Sequence, residues 1–242
     1  MSNLAGYILK STLFACLSAA AFGQVSAPCG FKSAGSDLVL GASNFGGDLR
    51  HVPREAIKKS NLKWEIPLAA ATGVLVGAVD QPAADRIQST SLQHTAGRWS
   101  NIGLGIGLGG SAMMWAVGCG TKHAYAAESG FEALEASGLA LVVDLGLKQA
   151  FNRQYPYGVK SNAEFWEGGK SFPSGHAATS FAFASVLAHR YPHNRWIKWG
   201  SLALATGVSV SRYPAKKHYP SDILIGAPLG YLVGAYVANH QH

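Results

Sequence analysis

Six long apolar segments, rich in Ala, Leu and Gly, constrain most strongly what this chain can fold into. Most are too long for strands, and the sequence has no strand–turn–strand signals at regular spacing, so they predict helices. Gly supplies 29 of the 242 residues, which suits closely packed helices. The prediction is an all-α antiparallel bundle of about six helices, at about 66–79, 101–119, 131–150, 176–189, 196–211 and 222–238.

The N-terminus has the layout of a secretory signal peptide. Lys10 precedes a short apolar run that ends in small residues, which predicts cleavage near Gly23. An uncleaved anchor is the alternative, although the run is shorter than the ~20 residues that a span needs. The predicted organisation is a signal peptide at 1–23, an N-terminal lead-in at 24–62 and a helical domain at 63–242.

Three cysteines bear on the redox compartment. Cys16 would leave with the signal peptide. Cys29 and Cys119 could then pair in an oxidising compartment, and two free thiols are the equally open alternative.

The net charge of +7 suits an anionic partner. The basic residues are split among loops and no recognised nucleic-acid module occurs, so no nucleic acid is expected. Acidic lipid surfaces and phosphorylated small molecules are the partners that this charge favours.

The relation of the helices to a membrane is left open by the sequence. Mean hydropathy is only +0.10, and only 101–119 and 222–238 approach spanning length without charge. If all six segments crossed, an exported leader would place the face with Lys148 and Arg212 in the cytoplasm, whereas the basic loop at 190–198 places it outside. A first segment that does not cross, or a peripheral bundle, reconciles the two. We expect an exported, membrane-associated protein of the periplasm or cell envelope, with this face outward.

The stretch FPSGH, residues 172–176, has the features of an anion site at a helix start. Pro173 and Ser174 are helix-start residues, and Gly175 allows close approach of the backbone to a ligand. His176 on the first turn could donate a proton to a bound anion. A capping turn with an exposed His is the alternative.

A second cluster, SRYPAKKHYPSD at 211–222, joins an imidazole to a carboxylate. His218 and Asp222 are four residues apart, so a helical turn can bring the carboxylate to the ring and fix its tautomer. Arg212 supplies a planar fork of donors suited to phosphate. An ordinary ion pair in a solvated basic loop is the alternative.

Lys148 and Arg153 form a third cluster at the end of the 131–150 segment. In an up-and-down bundle Lys148 and Arg212 end helices, while His176 and Asp222 lie at the start of others. Topology alone therefore predicts that the three clusters meet at one rim.

With these motifs in order, the sequence resembles the type 2 phosphatidic acid phosphatases (PAP2), which share a fold with class A acid phosphatases and vanadium haloperoxidases. The family pattern is K-x6-R-P, P-S-G-H and S-R-x5-H-x3-D. The last two motifs match without exception, at residues 173–176 and 211–222. The resemblance covers about residues 60–240 and makes 63–242 a PAP2-like phosphatase domain.

The first motif departs from the pattern. Lys148 and Pro156 fit, but Tyr155 stands at the expected Arg position and Arg153 lies two residues earlier. If Arg153 reaches the site, its guanidinium can bind the phosphate in place of the missing motif Arg. If it points away, Tyr155 offers only one hydroxyl.

The resemblance implies hydrolysis of a phosphomonoester without metal or other cofactor, through a phosphohistidine. His218 would attack phosphorus, Asp222 would orient it, and His176 would protonate the leaving alkoxide. The implied phosphate ligands are Lys148, Arg153, Ser174, Gly175 and Arg212. The substrate implied is a phosphate ester, more readily of a lipid than of a soluble compound because apolar helices flank the site.

Three other readings accompany this one. An inactive lipid-phosphate-binding or structural envelope protein is suggested by Tyr155. A haloperoxidase holding vanadate on the same scaffold is less favoured, because nothing points to halide chemistry. A metal enzyme built on His176, His218 and Asp222 is disfavoured because the surrounding Lys and Arg repel a cation.

Overall fold

The computed structural model describes residues 29, 62–157 and 163–240. The predicted signal peptide, and the lead-in apart from Cys29 and Leu62, lie outside these residues. The first helical rod consists of α1, a π-helical turn and α2, and five further helices follow it. The bounds are α1 Leu62–Val74, the π turn Leu75–Val79, α2 Asp80–Asp85, α3 Thr90–Gly120, α4 Ala124–Phe151, α5 Gly175–Arg190, α6 Arg195–Ser211 and α7 Pro220–His240.

The described part of the chain is thus all-helical, with six helices when the first rod is counted as one, as the sequence predicts. Local signals set several ends. The Ser89 side chain accepts a bond from the N–H of Leu92 at the start of α3, and Asn194 caps α6 in the same way. Asn152 adopts a left-handed conformation, with φ of 42°, and ends α4.

Helix α5 is central to the bundle and packs against α3, α4, α6 and α7. Its inward face is built of alanines and other small side chains, while Phe183 fills the middle of the core. Small residues let the neighbouring backbones approach closely. At Gly230 of α7, for example, an added Cβ would lie 1.9 Å from the carbonyl oxygen of Ala178.

Within the described part of the chain, three helical stretches are long and apolar enough to cross a membrane, at Ile66–Asp85, Thr90–Gly120 and Pro220–Asn239. The outer face of α3 carries exposed apolar side chains along its length, including Trp99, Ile102, Ile106 and Met113. An apolar stripe of this kind is suited to lipid contact. The predicted membrane association is confirmed, and Ile66–Asp85 joins the two stretches that the sequence singled out.

Cys29 and Cys119 form a disulfide, one of the two states that the sequence left open. Cys119 lies in the last turn of α3. The opposite ends of the bundle are therefore different in character: one carries the disulfide, and the other gathers the end of α4, the start of α5, the end of α6 and the start of α7.

Candidate active site

The turn before α5 is fixed to the start of α7. Ser174 is the N-cap of α5, and its backbone N–H donates to the carbonyl oxygen of Asp222 at 3.1 Å. This N–H is therefore already engaged within the protein. The Ser174 Oγ atom is buried and has no partner among the described residues, so it is available to a bound group.

Gly175 has a second reason to be glycine besides access for a ligand. A Cβ at this position would lie 2.7 Å from Oδ2 of Asp144 on α4. Asp144 in turn holds Lys148 one helical turn later, with 2.9 Å between Oδ1 and Nζ. Lys148 also donates to the carbonyl oxygen of Pro173. The ammonium group is thus tied to the turn that precedes α5.

His218 is oriented by two partners. Its Nδ1 lies 2.8 Å from the carbonyl oxygen of Ser171 and 3.5 Å from Oδ2 of Asp222. Since a carbonyl oxygen only accepts, Nδ1 carries the hydrogen, and Nε2 keeps its lone pair. The carbonyl of Ser171 is the nearer partner, which the His218–Asp222 spacing alone does not reveal. Burial lowers the pKa of His218, so the neutral form is favoured.

His176 and Arg212 share one acceptor. Oδ1 of Asn101, on α3, lies 3.0 Å from Nε2 of His176 and 3.4 Å from Nη1 of Arg212. Burial lowers the pKa of His176 to about 3, with further lowering by the charges of Arg212, His218 and Lys148. The shared contact with Asn101 and the contact of Lys148 with Pro173 bring these predicted rim residues together.

Arg212 is the cation best placed to receive an anion. It is buried, and its Nε atom has no hydrogen-bond partner among the described residues. Burial lowers its pKa to about 10, which leaves it charged at neutral pH. Unpaired polar atoms of Ser174, Arg212 and Asp144 thus accompany the two imidazoles at this rim. Such atoms are costly to bury unless a ligand or water satisfies them.

Arg153 lies elsewhere than its expected role as a phosphate ligand requires. It is fully buried, with Nη1 at 2.5 Å from Oδ1 of Asp222 and Nη2 at 2.7 Å from Oδ2 of Asp80. In this structure the guanidinium belongs to a buried network with the carboxylates of Asp222 and Asp80. A side chain's direction after a helix end cannot be read from spacing, which is why the sequence left both possibilities open.

Tyr155 lies on the side of this loop that faces His218. Its ring centroid lies 6.3 Å from that of His218, and it stacks on Tyr157 at 5.0 Å. Burial raises the pKa of the Tyr155 phenol, so it is present as a neutral hydroxyl. Lys217 lies over the Tyr157 ring, with 4.6 Å between Nζ and the ring centroid. The two stacked tyrosine rings thus form an aromatic wall beside His218, with the Lys217 ammonium group against it.

Three site residues were missed by the sequence reasoning: Asn101, Asp80 and Ser171. Asp80 had a signal, because a carboxylate directly after an apolar run at 66–79 needs a partner when buried. Asn101 and Ser171 had none, since their contacts depend on distant helices.

Comparison with known proteins supports the pattern seen at this rim. The model of the PAP2 superfamily matches residues 130–242, which include both histidines and Arg212. Lipid A 1-phosphatase of Porphyromonas gingivalis is 29% identical over 180 residues, or 73% of this chain and 38% of that protein. Lipid A 1-phosphatase of Rhizobium johnstonii is 35% identical over 91 residues, or 35% of this chain and 36% of that protein. The chain thus spans less than two fifths of the length of either relative.

A solved structure is also similar, the first transmembrane PAP2 type phosphatidylglycerolphosphate phosphatase from Bacillus subtilis. It is 20% identical, with a TM-score of 0.47, and the match covers 71% of this chain and 92% of that chain. The match to the PAP2 superfamily, over residues 130–242, contains the two complete motifs in the family's order.

Proposed function

We propose that this protein is a phosphoric monoester hydrolase that removes phosphate from a lipid phosphate, or a related phosphate or pyrophosphate ester, without a metal ion. The observation that carries the proposal is the state of His218. Its Nδ1 is held by the carbonyl oxygen of Ser171, so Nε2 is the nucleophilic nitrogen, beside Arg212 and Lys148.

The first step forms a phosphohistidine. Nε2 of His218 attacks phosphorus, and the bond from phosphorus to the leaving oxygen breaks. The imidazole of His176 gives a proton to that oxygen, so the product leaves as an alcohol. Negative charge on a bound phosphate offsets the burial that keeps His176 neutral in the free protein, and so favours the protonated acid.

The second step releases phosphate. His176, now neutral, accepts a proton from water, whose oxygen attacks phosphorus while the bond to His218 breaks. In both steps the equatorial oxygens carry the charge that must be stabilised. Arg212, Lys148, the Ser174 hydroxyl and the Gly175 N–H are the proposed donors.

The proposed substrate class is a membrane lipid that ends in a phosphate ester. The exposed apolar face of α3 would keep the pocket at a lipid surface, and both relatives named above are lipid A 1-phosphatases. A phosphate on a lipid-linked sugar is therefore the first substrate to try.

We also propose that the protein is exported and that the pocket faces outward. A disulfide persists in an oxidising compartment, which favours export. The disulfide and the candidate site lie at opposite ends of the bundle, and α3 runs from one end to the other. Both ends can therefore be outside only if α3 lies along the membrane without crossing it. Helices α5 and α6, of 16 and 17 residues, are shorter than the ~20 residues of an ordinary span.

An inactive protein that binds lipid phosphates, or one with a structural role in the envelope, is the second candidate. It is favoured by Tyr155 at the expected Arg position and by the engagement of Arg153 with Asp80 and Asp222. Such a protein would bind vanadate, a mimic of phosphate, without turning over any ester.

The test compares turnover of a lipid-linked sugar phosphate, phosphatidate and a soluble sugar phosphate by purified protein in detergent with a chelator. We expect hydrolysis of the lipids, its loss in His218→Ala, and no change in His193→Ala, which alters an exposed residue at the other end. Loss of activity in chelator would contradict the metal-free mechanism. Preference for the soluble ester would contradict the lipid assignment, and vanadate binding without turnover would establish the binding protein.

A further inference from the structure

The guanidinium of Arg153 is enclosed on every side. Its Nε donates to the carbonyl oxygen of Ala163 at 3.1 Å, and Nη1 also donates to Oγ of Ser221 at 2.7 Å. Its two faces lie against aromatic rings, with Cζ 4.6 Å from the Phe165 centroid and 4.3 Å from that of Tyr219. Together with its ion pairs, this leaves the group 0% exposed and without a direction from which phosphate could approach.

Asp80 completes this network from the first helical rod. It is 0% exposed, and Oδ1 accepts the backbone N–H of Ser221 at 3.1 Å. Oδ2 accepts from Nη2 of Arg153 and from Oγ of Ser221. Asp80 therefore grips both the arginine that pairs with Asp222 and the residue that precedes Asp222 in α7.

Charge balance explains why Asp80 is needed. Asp80 and Asp222 both pair with the single positive charge of Arg153, so the guanidinium is not paired with Asp222 alone. Loss of the Asp80 charge would leave Arg153 paired with Asp222 alone. Without the Asp80 charge, the guanidinium of Arg153 would attract the Asp222 carboxylate more strongly. The interaction between Asp222 and His218 would then be weaker.

We propose that Asp80 and Arg153 form a buried clamp that holds Asp222, and through it His218, in the position for attack. Both are positioning residues and neither contacts the substrate. The inference rests on the proposed phosphatase function and gives Arg153 a role other than phosphate binding. Arg212 is then the guanidinium, among the described residues, that the phosphate meets.

The first experiment is Asp80→Asn, which keeps the shape of the side chain and removes its charge. Asp85→Asn is the matched control, because it makes the same change at an exposed position on α2. We expect kcat of Asp80→Asn to fall about 10- to 100-fold, as for other groups that orient a reactive residue, with KM and the inhibition constant of vanadate unchanged. Unchanged kcat, or a weaker vanadate affinity in step with a raised KM, would overturn the proposal.

Ser221→Ala keeps the test decisive if Asp80→Asn does not fold. It removes hydrogen bonds from the clamp without unpairing a charge. We expect a smaller loss of kcat at unchanged KM, and wild-type kcat would overturn the clamp. Arg153→Gln should likewise leave vanadate affinity unchanged, whereas weaker binding of vanadate would make Arg153 a phosphate ligand.

A measurement independent of turnover separates the clamp from the phosphatase function. In protein labelled with ¹⁵N-histidine, the nitrogen shifts of His218 should change in Asp80→Asn and stay constant in Asp85→Asn. Equal spectra in the two variants would overturn the clamp even if the enzyme is active. If the wild-type protein hydrolyses no ester while Asp80→Asn still shows the expected shifts, the phosphatase function alone would be overturned.

Discussion

Two residues at this rim, Asn101 and Ser171, each contact two other residues of the candidate site. Asn101 is the clearest case, because its amide oxygen lies within hydrogen-bond distance of both His176 and Arg212. The Ser171 residue plays a similar double part, with its carbonyl oxygen on His218 and its hydroxyl on Asp222. These contacts fix the two imidazoles before any substrate arrives, which is the preorganisation that electrostatic catalysis requires.

The neutral state of the partly buried His176 side chain predicts a stability that depends on pH. Its pKa is about 3 in the folded protein against 6.5 for the free side chain, so below pH ~6.5 the unfolded state binds the additional proton. The contribution of this residue to stability is complete above that pH and is lost as the pH falls toward 3. When the pH is lowered from about 7 to about 4.5, the unfolding temperature measured in detergent should fall less for His176→Asn than for wild type.

His193→Asn is the control for this measurement, since His193 is exposed at the far end of the bundle. Its unfolding temperature should follow that of wild type at both pH values. If His176→Asn loses as much stability as wild type on acidification, the folded protein does not favour the neutral form of the ring.

Which site residues could be predicted depends on how local their signal is. Ser174, His176, Arg212, His218 and Asp222 were found because a motif places each one at a helix end, and antiparallel topology does the rest. Arg153 was assigned to the phosphate because its residue type fitted the chemistry, whereas its direction depends on Asp80, more than seventy residues earlier in the chain. Asn101 lies in a segment read only as apolar, so its role appears only once α3 is packed.

At the scale of the elements, the contact between α5 and α7 positions the site. Gly226, Gly230 and Gly234 recur every four residues on α7, where an added Cβ would meet backbone atoms of Ser174, Ala178 and Ala182 on α5 or its cap. Close backbone contact therefore sets the distance between the start of α5, with His176, and the start of α7, with Asp222. The six-helix prediction depends only on composition and length, but this register depends on side-chain volumes across the interface.

Gly230→Ala tests the closeness of that contact. Its Cβ would lie 1.9 Å from the carbonyl oxygen of Ala178, so the helices must separate. We expect the free energy of unfolding to fall by about 1–3 kcal/mol, with loss of activity as His176 and Asp222 move apart.

Gly146→Ala on α4 is the matched substitution, since no heavy atom lies within 4 Å of the added Cβ. It should keep wild-type activity and gain roughly 0.5–1 kcal/mol, because alanine is the better helix former. Equal behaviour of the two variants would mean that α5 and α7 are not in close contact.

At the scale of the whole molecule, the disulfide and the pocket mark the two ends of the bundle. A prediction of sidedness follows from the proposal that both are outside the cytoplasm. In intact cells, Glu167→Cys, which lies exposed on the pocket loop, should react with a membrane-impermeant maleimide in a Cys29→Ser, Cys119→Ser background. Labelling only after the cells are lysed would place the pocket in the cytoplasm.

The central claim is that His218 becomes phosphorylated. The most direct test is mass spectrometry of His176→Ala after brief incubation with an aryl phosphate, whose leaving group needs little protonation. Because the variant lacks the base for the second step, we predict that one phosphoryl group accumulates on the peptide containing His218 and is absent from His176→Ala, His218→Ala. Product release with a phosphoryl group on another residue, or with none, would contradict the mechanism.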